Sequence, residues 1–169
     1  MMLIKVVVEW TTLNIISTYT PQSDLAEEEK RRFWEDLDEL VGSISPIEKL
    51  FVGGDFNGYI RSISEGYDDV HGGFSFGYIN REGISLLEFA RAFELVIANS
   101  SFPKKKDHLV TFRSSVAETR INFLLLRKDD KGDRDFVLGY LEHTWRYQYF
   151  GYFESSKVKA VKGVVRRMR

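Results

Sequence analysis

The chain contains no cysteine. Disulfides, zinc–thiolate sites and cysteine nucleophiles are thereby excluded, and the compartment is left open on that count. No continuous apolar run approaches the roughly 20 residues that cross a bilayer as a helix. The opening Met1 to Val8 has no long apolar stretch followed by a small-residue cleavage site, so no secretory leader is expected. A strong charge of one sign is missing too. The net charge of −1 gives the chain as a whole no attraction for nucleic acid. The expectation is a soluble, intracellular protein, with a nuclear placement open.

What is present points to a packed domain. The 169 residues suit one domain better than two. Hydrophobic residues at 43% and aromatics at 14% supply enough apolar surface for a core. Charge is unevenly placed. After Glu154 the tail carries Lys157, Lys159, Lys162, Arg166, Arg167 and Arg169 with no acid among them. Such a tail suits phosphate or an anionic surface, with a solvated helix end or frayed terminus as the favoured plainer reading.

Along the chain, Leu3 to Glu9 and Leu13 to Tyr19 are β-branched and apolar with a short gap between them, which predicts a hairpin ended by Pro21. Asp24 followed by Glu27 has the spacing of a helix cap. Phe33, Trp34, Leu37, Leu40 and Val41 then recur at helical spacing, with Gly42 as terminator. Lys49 to Gly53 predicts a short buried strand. A glycine-rich loop from Gly66 to Asn80 follows, of a length that commonly carries function. Asn80 is expected to cap a helix through about Phe93, with Leu86, Phe89, Ala90 and Phe93 inward. Strands are expected at Glu94 to Asn99, Leu109 to Phe112 and Ile121 to Arg127. Lys104, Lys105 and Lys106 form a basic loop, and the stretch from Lys128 to Asp135 a charged turn. This alternation predicts a sheet covered by helices.

The sharpest local feature is Gly53-Gly54-Asp55-Phe56-Asn57. A carboxylate and a carboxamide two residues apart point the same way if strand geometry continues past the buried strand. Together they offer what water attack on a phosphodiester needs: a base, and an amide to orient water or a phosphate oxygen. The same residue types also suit a plain turn on backbone grounds.

The order of several motifs narrows that choice. Ser17-Thr18-Tyr19-Thr20-Pro21-Gln22 precedes the acidic helix, and Val52-Gly53-Gly54-Asp55-Phe56-Asn57 follows it. Then come Asn80-Arg81-Glu82-Gly83, Leu109-Val110-Thr111-Phe112 and Arg120-Ile121-Asn122-Phe123. The series resembles the endonuclease/exonuclease/phosphatase superfamily, with its Tyr-x-Pro, Gly-Asp-x-Asn, Thr-Trp/Phe and Arg-Ile-Asp-Tyr/Phe motifs. Within it, the wording from Glu28 to Arg127 is most similar to LINE-type retrotransposon endonucleases and craniofacial development protein 2-like sequences. The resemblance covers roughly residues 3 to 127.

It implies an α+β fold, a partial four-layer α/β sandwich of two packed β-sheets flanked by helices with its N-terminal portion missing. Residues 1–127 would be the C-terminal part of the family domain, and 128–169 a divergent segment with the basic tail. The resemblance also implies roles. Tyr19 matches the tyrosine that contacts the scissile phosphate, with a half-buried strand aromatic as its plain alternative. Asp55 matches the aspartate that positions or deprotonates the attacking water. Asn57 matches the asparagine that contacts phosphate and orients that aspartate. Thr111 matches a threonine near the phosphate, or is a strand residue chosen for β-propensity.

Three departures from the pattern imply impaired catalysis. The family's glutamate ligand to Mg²⁺ has no counterpart, since Glu9 sits in the wrong strand, and a hard cation needs several oxygen ligands. Asn122 stands where the family has the aspartate that orients its catalytic histidine, a swap that costs several orders of magnitude in a related dyad. The closing Ser-Asp-His motif is absent, leaving His143 beside Glu142 as the available stand-in. His71 and His108 are loop residues without an assigned role. The expected activity is Mg²⁺-dependent phosphodiester cleavage of the DNA-nicking type. The alternative is a non-catalytic remnant that binds nucleic acid or a protein partner. DNA is the expected partner, with association through an exposed sheet edge or a missing N-terminal segment as a further route.

Overall fold

The computed structural model describes residues 1–8, 10–21, 25–61, 66–75, 78–101, 112–113, 118–119, 122–132 and 164–167. The expected hairpin is β1 (Met2–Val8) and β2 (Thr11–Tyr19), antiparallel with Met2 opposite Ser17 and Val8 opposite Thr11. The first helix, α1 (Glu27–Gly42), leads to β3 (Lys49–Asp55). Because α1 crosses over between them, β3 returns parallel to β2, as a helix-length connection requires.

The second helix, α2 (Arg81–Ala92), and β4 (Leu95–Ile97) follow. A two-stranded piece, β5 (Phe112–Arg113) with β6 (Glu118–Thr119), lies apart from the main sheet. The strand β7 (Asn122–Arg127) enters the main sheet between β4 and β3, and β8 (Val164–Arg167) closes the far edge beside β1. The main sheet has the order β4-β7-β3-β2-β1-β8. The expected strand from Glu94 to Asn99 shortens to β4 and then tightens into a 3-10 turn over Ala98–Ser100. Another 3-10 turn, Lys128–Gly132, occupies the charged stretch after β7. Of the expected strand from Leu109 to Phe112, residues 109–111 lie outside the described residues.

Two helix boundaries differ from the sequence pattern. Ala26, not Asp24, occupies the cap position of α1, without a side-chain cap bond. Glu27, Glu28 and Glu29 instead place negative charge in the first turn, where the helix dipole favours it. Gly42 is the last helical residue and not the stop. Ser43 caps the end in a right-handed conformation, its hydroxyl donating to the Leu40 carbonyl at 2.7 Å. The cap expected at Asn80 is present, its side chain accepting the Gly83 N–H.

The sheet is buried on both faces at its centre. On one face Ile16, Leu50, Val52, Phe123 and Leu125 pack against Phe33, Leu37, Leu40 and Val41 of α1 and Leu86, Leu87, Phe89 and Ala90 of α2. On the other, Phe51, Val96, Ala98, Leu124 and Leu126 form a second cluster with Leu13. Burial on both sides explains why β3 and β7 read as near-continuous apolar runs without alternation. Among the described residues no helix is long and apolar enough to cross a membrane.

Gly54 sits inside β3, where a Cβ would run into the Thr18 carbonyl of β2. Strand backbone cannot shift cheaply. Gly54→Ala is therefore expected to destabilise the fold by on the order of 1–3 kcal/mol or more, measured as a lower midpoint in urea denaturation.

Candidate functional site

Strand β3 continues two residues beyond the expected Gly53, so Asp55 is a strand residue and not part of a turn. In the parallel β2–β3 pair Tyr19 is the partner of Asp55, and in the antiparallel β3–β7 pair Asp55 is the partner of Asn122. Three adjacent strands therefore carry Tyr19, Asp55 and Asn122 at one level of the sheet. Alternation settles their face. Phe51, two steps of two before Asp55, and Leu124, two after Asn122, both belong to the cluster opposite the helices. The row thus lies on the sheet face turned away from α1 and α2. Tyr19 is 59% exposed, while Asp55 and Asn122 are half-buried.

The elements hold this row firmly. The Thr20 N–H donates to the Asp55 carbonyl at 2.8 Å, extending the β2–β3 ladder one residue past Tyr19. At the other end Asn99, 9% exposed, acts as a substitute strand for β7. Its Nδ2 donates to the Asn122 carbonyl at 3.0 Å and its Oδ1 accepts the Leu124 N–H at 3.2 Å. Sequence reasoning missed Asn99, and its partner strand is too distant in the chain for any local pattern to reveal it.

Asn57 does not join the row. Strand geometry ends at Asp55, and Asn57 turns into the left-handed region at φ 48°, which asparagine tolerates better than most residues. Its backbone N–H donates to Asp55 Oδ1 at 3.0 Å, and its Nδ2 to the Thr20 carbonyl at 2.8 Å. The expected same-facing pair is instead a carboxylate with a backbone donor clipped over it. Between the two, Phe56 is fully buried and stacks on Trp34 of α1, rings 6.3 Å apart at 21°. Burial pushes the Asp55 carboxyl above the ordinary carboxylate range, and the Asn57 N–H pulls it part of the way back.

Thr111 and His143 lie outside the described residues. His71 is 2% exposed, with Nε2 2.7 Å from the Arg61 carbonyl and Nδ1 accepting the Gly73 N–H at 3.3 Å. These contacts tie the glycine-rich loop. A 350 Å³ cleft on the helix side is lined by Thr20, Lys30, Trp34, Arg81 and Glu82 among others, and Asp55 is not in it. Its charges are mutually paired, with Lys30 bridging Glu27 and Glu82 and Arg81 bonded to Glu27.

Among the described residues no group of three His, Cys, Asp or Glu side chains is placed to hold a metal ion. Asp55 is the one carboxylate of the row, and Asn122 beside it brings an amide where a second carboxylate would add charge. Hard cations need several oxygen ligands.

No family model matches the chain. Craniofacial development protein 2 of Bos taurus is 32% identical over 118 residues, which is 69% of this chain and 20% of that protein. The same protein of Tragulus javanicus is 31% identical over 118 residues, with the same coverage. Over these residues the chain is similar to craniofacial development protein 2. It spans about a fifth of the length of these relatives, their 20% coverage being the same in both. Among solved structures, an endonuclease/exonuclease/phosphatase family protein from Leptotrichia buccalis C-1013-b matches at 10% identity and a TM-score of 0.44, covering 75% of this chain and 42% of that one. The resemblance of the motif series to craniofacial development protein 2-like sequences is borne out by these matches.

Proposed function

We propose that this chain is a phosphodiester-cleaving domain of the DNA-nicking type, derived from a LINE-type retrotransposon endonuclease and catalytically impaired. The observation that carries the reading is the single row of Tyr19, Asp55 and Asn122 across β2, β3 and β7. In it a phenol, a carboxylate and an amide converge at one end of the sheet.

On this reading the Tyr19 hydroxyl contacts the scissile phosphate. Asp55, its proton affinity raised by burial, positions the attacking water and accepts its proton, a task that favours a base above the usual carboxylate range. Asn57 orients Asp55 through its backbone N–H and meets a phosphate oxygen on the same turn. Thr111 is a further phosphate contact and His143 the stand-in histidine. Asn122, in the place of the family aspartate, keeps the shape of that residue and lacks its charge, which is the source of the impairment. Mg²⁺ is the cofactor expected of the family, and DNA the substrate.

The test is relaxation of supercoiled plasmid by the full chain in Mg²⁺, against the same chain carrying Asp55→Ala. Nicking that exceeds the variant supports the reading, and equal traces reject present-day cleavage. In that event, DNA binding that weakens steeply with salt, as phosphate contacts do when counterions are released, supports a non-catalytic binding module instead.

A further inference from the structure

The turn that carries Asn57 is braced from the helix side by a residue already accounted for as a cap. Asn80 Oδ1 accepts the Gly83 N–H at 2.9 Å, which is the helix-capping bond, and also the Tyr59 N–H at 2.6 Å. Its Nδ2 donates to the Asn57 carbonyl at 3.1 Å, and its own backbone N–H donates to the Tyr59 carbonyl at 3.2 Å. The two backbones lie close enough that a Cβ on Gly83 would strike the Tyr59 carbonyl. The start of α2 and the segment from Asn57 to Tyr59 are thus joined through the Asn80 carboxamide and backbone.

Capping alone does not call for an amide here. Serine, threonine and aspartate offer a cap oxygen of similar quality. Aspartate has no donor, and serine and threonine carry donor and acceptor on a single oxygen, whereas asparagine places them on two separate atoms that reach different partners. Only the amide donor reaches Asn57. Asn57 is consequently held on three sides: its N–H by Asp55, its side chain by the Thr20 carbonyl and its own carbonyl by Asn80.

We propose that Asn80 is a positioning residue for the Asp55–Asn57 turn, its Nδ2 holding Asn57 in the left-handed conformation that keeps the Asn57 N–H on the Asp55 carboxylate. The consequence for cleavage rests on the function proposed above. The structural part does not.

The test compares two variants of the full chain by NMR, with plasmid nicking as a second arm. Asn80→Ser keeps a cap oxygen, is too short to reach Asn57 and has no amide. Asn80→Asp keeps both acceptor contacts and replaces the donor with an oxygen facing the Asn57 carbonyl. In both, the coupling between the Asn57 amide and α protons and the Asn57 carbon shifts are expected to leave left-handed values. The amide shifts of α2 are expected to hold in Asn80→Asp, so a pure capping role would leave Asn57 unmoved. Turnover is expected to fall on the order of 10- to 100-fold, as a misplaced reacting group does, with KM little changed.

Asn57 signals identical to wild type in folded Asn80→Asp overturn the proposal. If Asn80→Ser fails to fold, Asn80→Asp decides alone. A wild-type chain that does not nick DNA overturns the proposed cleavage activity, and the NMR arm still decides the brace.

Discussion

Replacing Asp55 by asparagine is expected to abolish nicking while raising the melting temperature at neutral pH. The two effects have one origin. Asp55 is half-buried at the end of β3, and burial lifts its carboxyl above the usual range while the Asn57 N–H partly opposes the lift. A raised folded-state pKa means that the fold prefers the neutral acid. The stability contributed by that preference is fully present below the unfolded-state value, about 3.9. It is lost as pH rises through the folded value. At neutral pH the charged carboxylate is therefore held at a cost. Asparagine keeps an oxygen for the Asn57 N–H and removes the charge. Melting curves taken from acid to neutral pH are expected to show the variant's advantage growing as pH rises, and closing in acid. A variant that melts lower than wild type at neutral pH contradicts the desolvation account.

The second large effect is expected at Phe56. It has no exposed surface, lies between Asp55 and Asn57, and stacks on Trp34, which also contacts the rings of Phe33 and Phe89. Phe56→Ala removes a fully buried side chain that ties this turn into the core beneath the helices. Truncating a buried phenylalanine costs about 3–5 kcal/mol, a large share of the 5–15 kcal/mol that holds a typical domain together. The urea midpoint followed by circular dichroism is expected to drop accordingly. Nicking should fall further than the folded fraction alone predicts, because the surviving folded molecules have lost the anchor between their carboxylate and its clip. A midpoint within error of wild type would show that the turn is anchored elsewhere.

Much of the architecture was legible where the signal is local. The hairpin of β1 and β2 follows from two β-branched runs and a short gap, and the spans of α1 and α2 follow from apolar residues at helical spacing. The cap at Asn80 is a one-residue rule. The boundaries of α1 depart from the pattern because Asp24 and Gly42 carry the right residue types for caps, while the helix begins on acidic side chains and ends on Ser43.

The site was legible in its residue types and illegible in its geometry. Asp55 and Asn57 stand two apart, which suggests a shared face, and the left-handed backbone of Asn57 breaks that periodicity. The level alignment of Tyr19, Asp55 and Asn122 depends on strand register set across α1 and across β7, which no window along the chain contains. The second task of Asn80 and the strand-like role of Asn99 are invisible for the same reason, since their partners lie far away in sequence.

The parallel pairing of β2 with β3 has a kinetic side. Tyr19 meets Asp55 only after the whole α1 crossover has closed, and Asn122 joins across a still longer separation in sequence. Loop-closure entropy must be overcome before such contacts reward it, so pairings of this kind form late in folding. A chain stalled partway would hold its hairpin and much of its helix while lacking any assembled row of side chains at the sheet's end. Competence at this site is accordingly a property of the completed molecule, and it should be the last thing gained on refolding and among the first lost on unfolding.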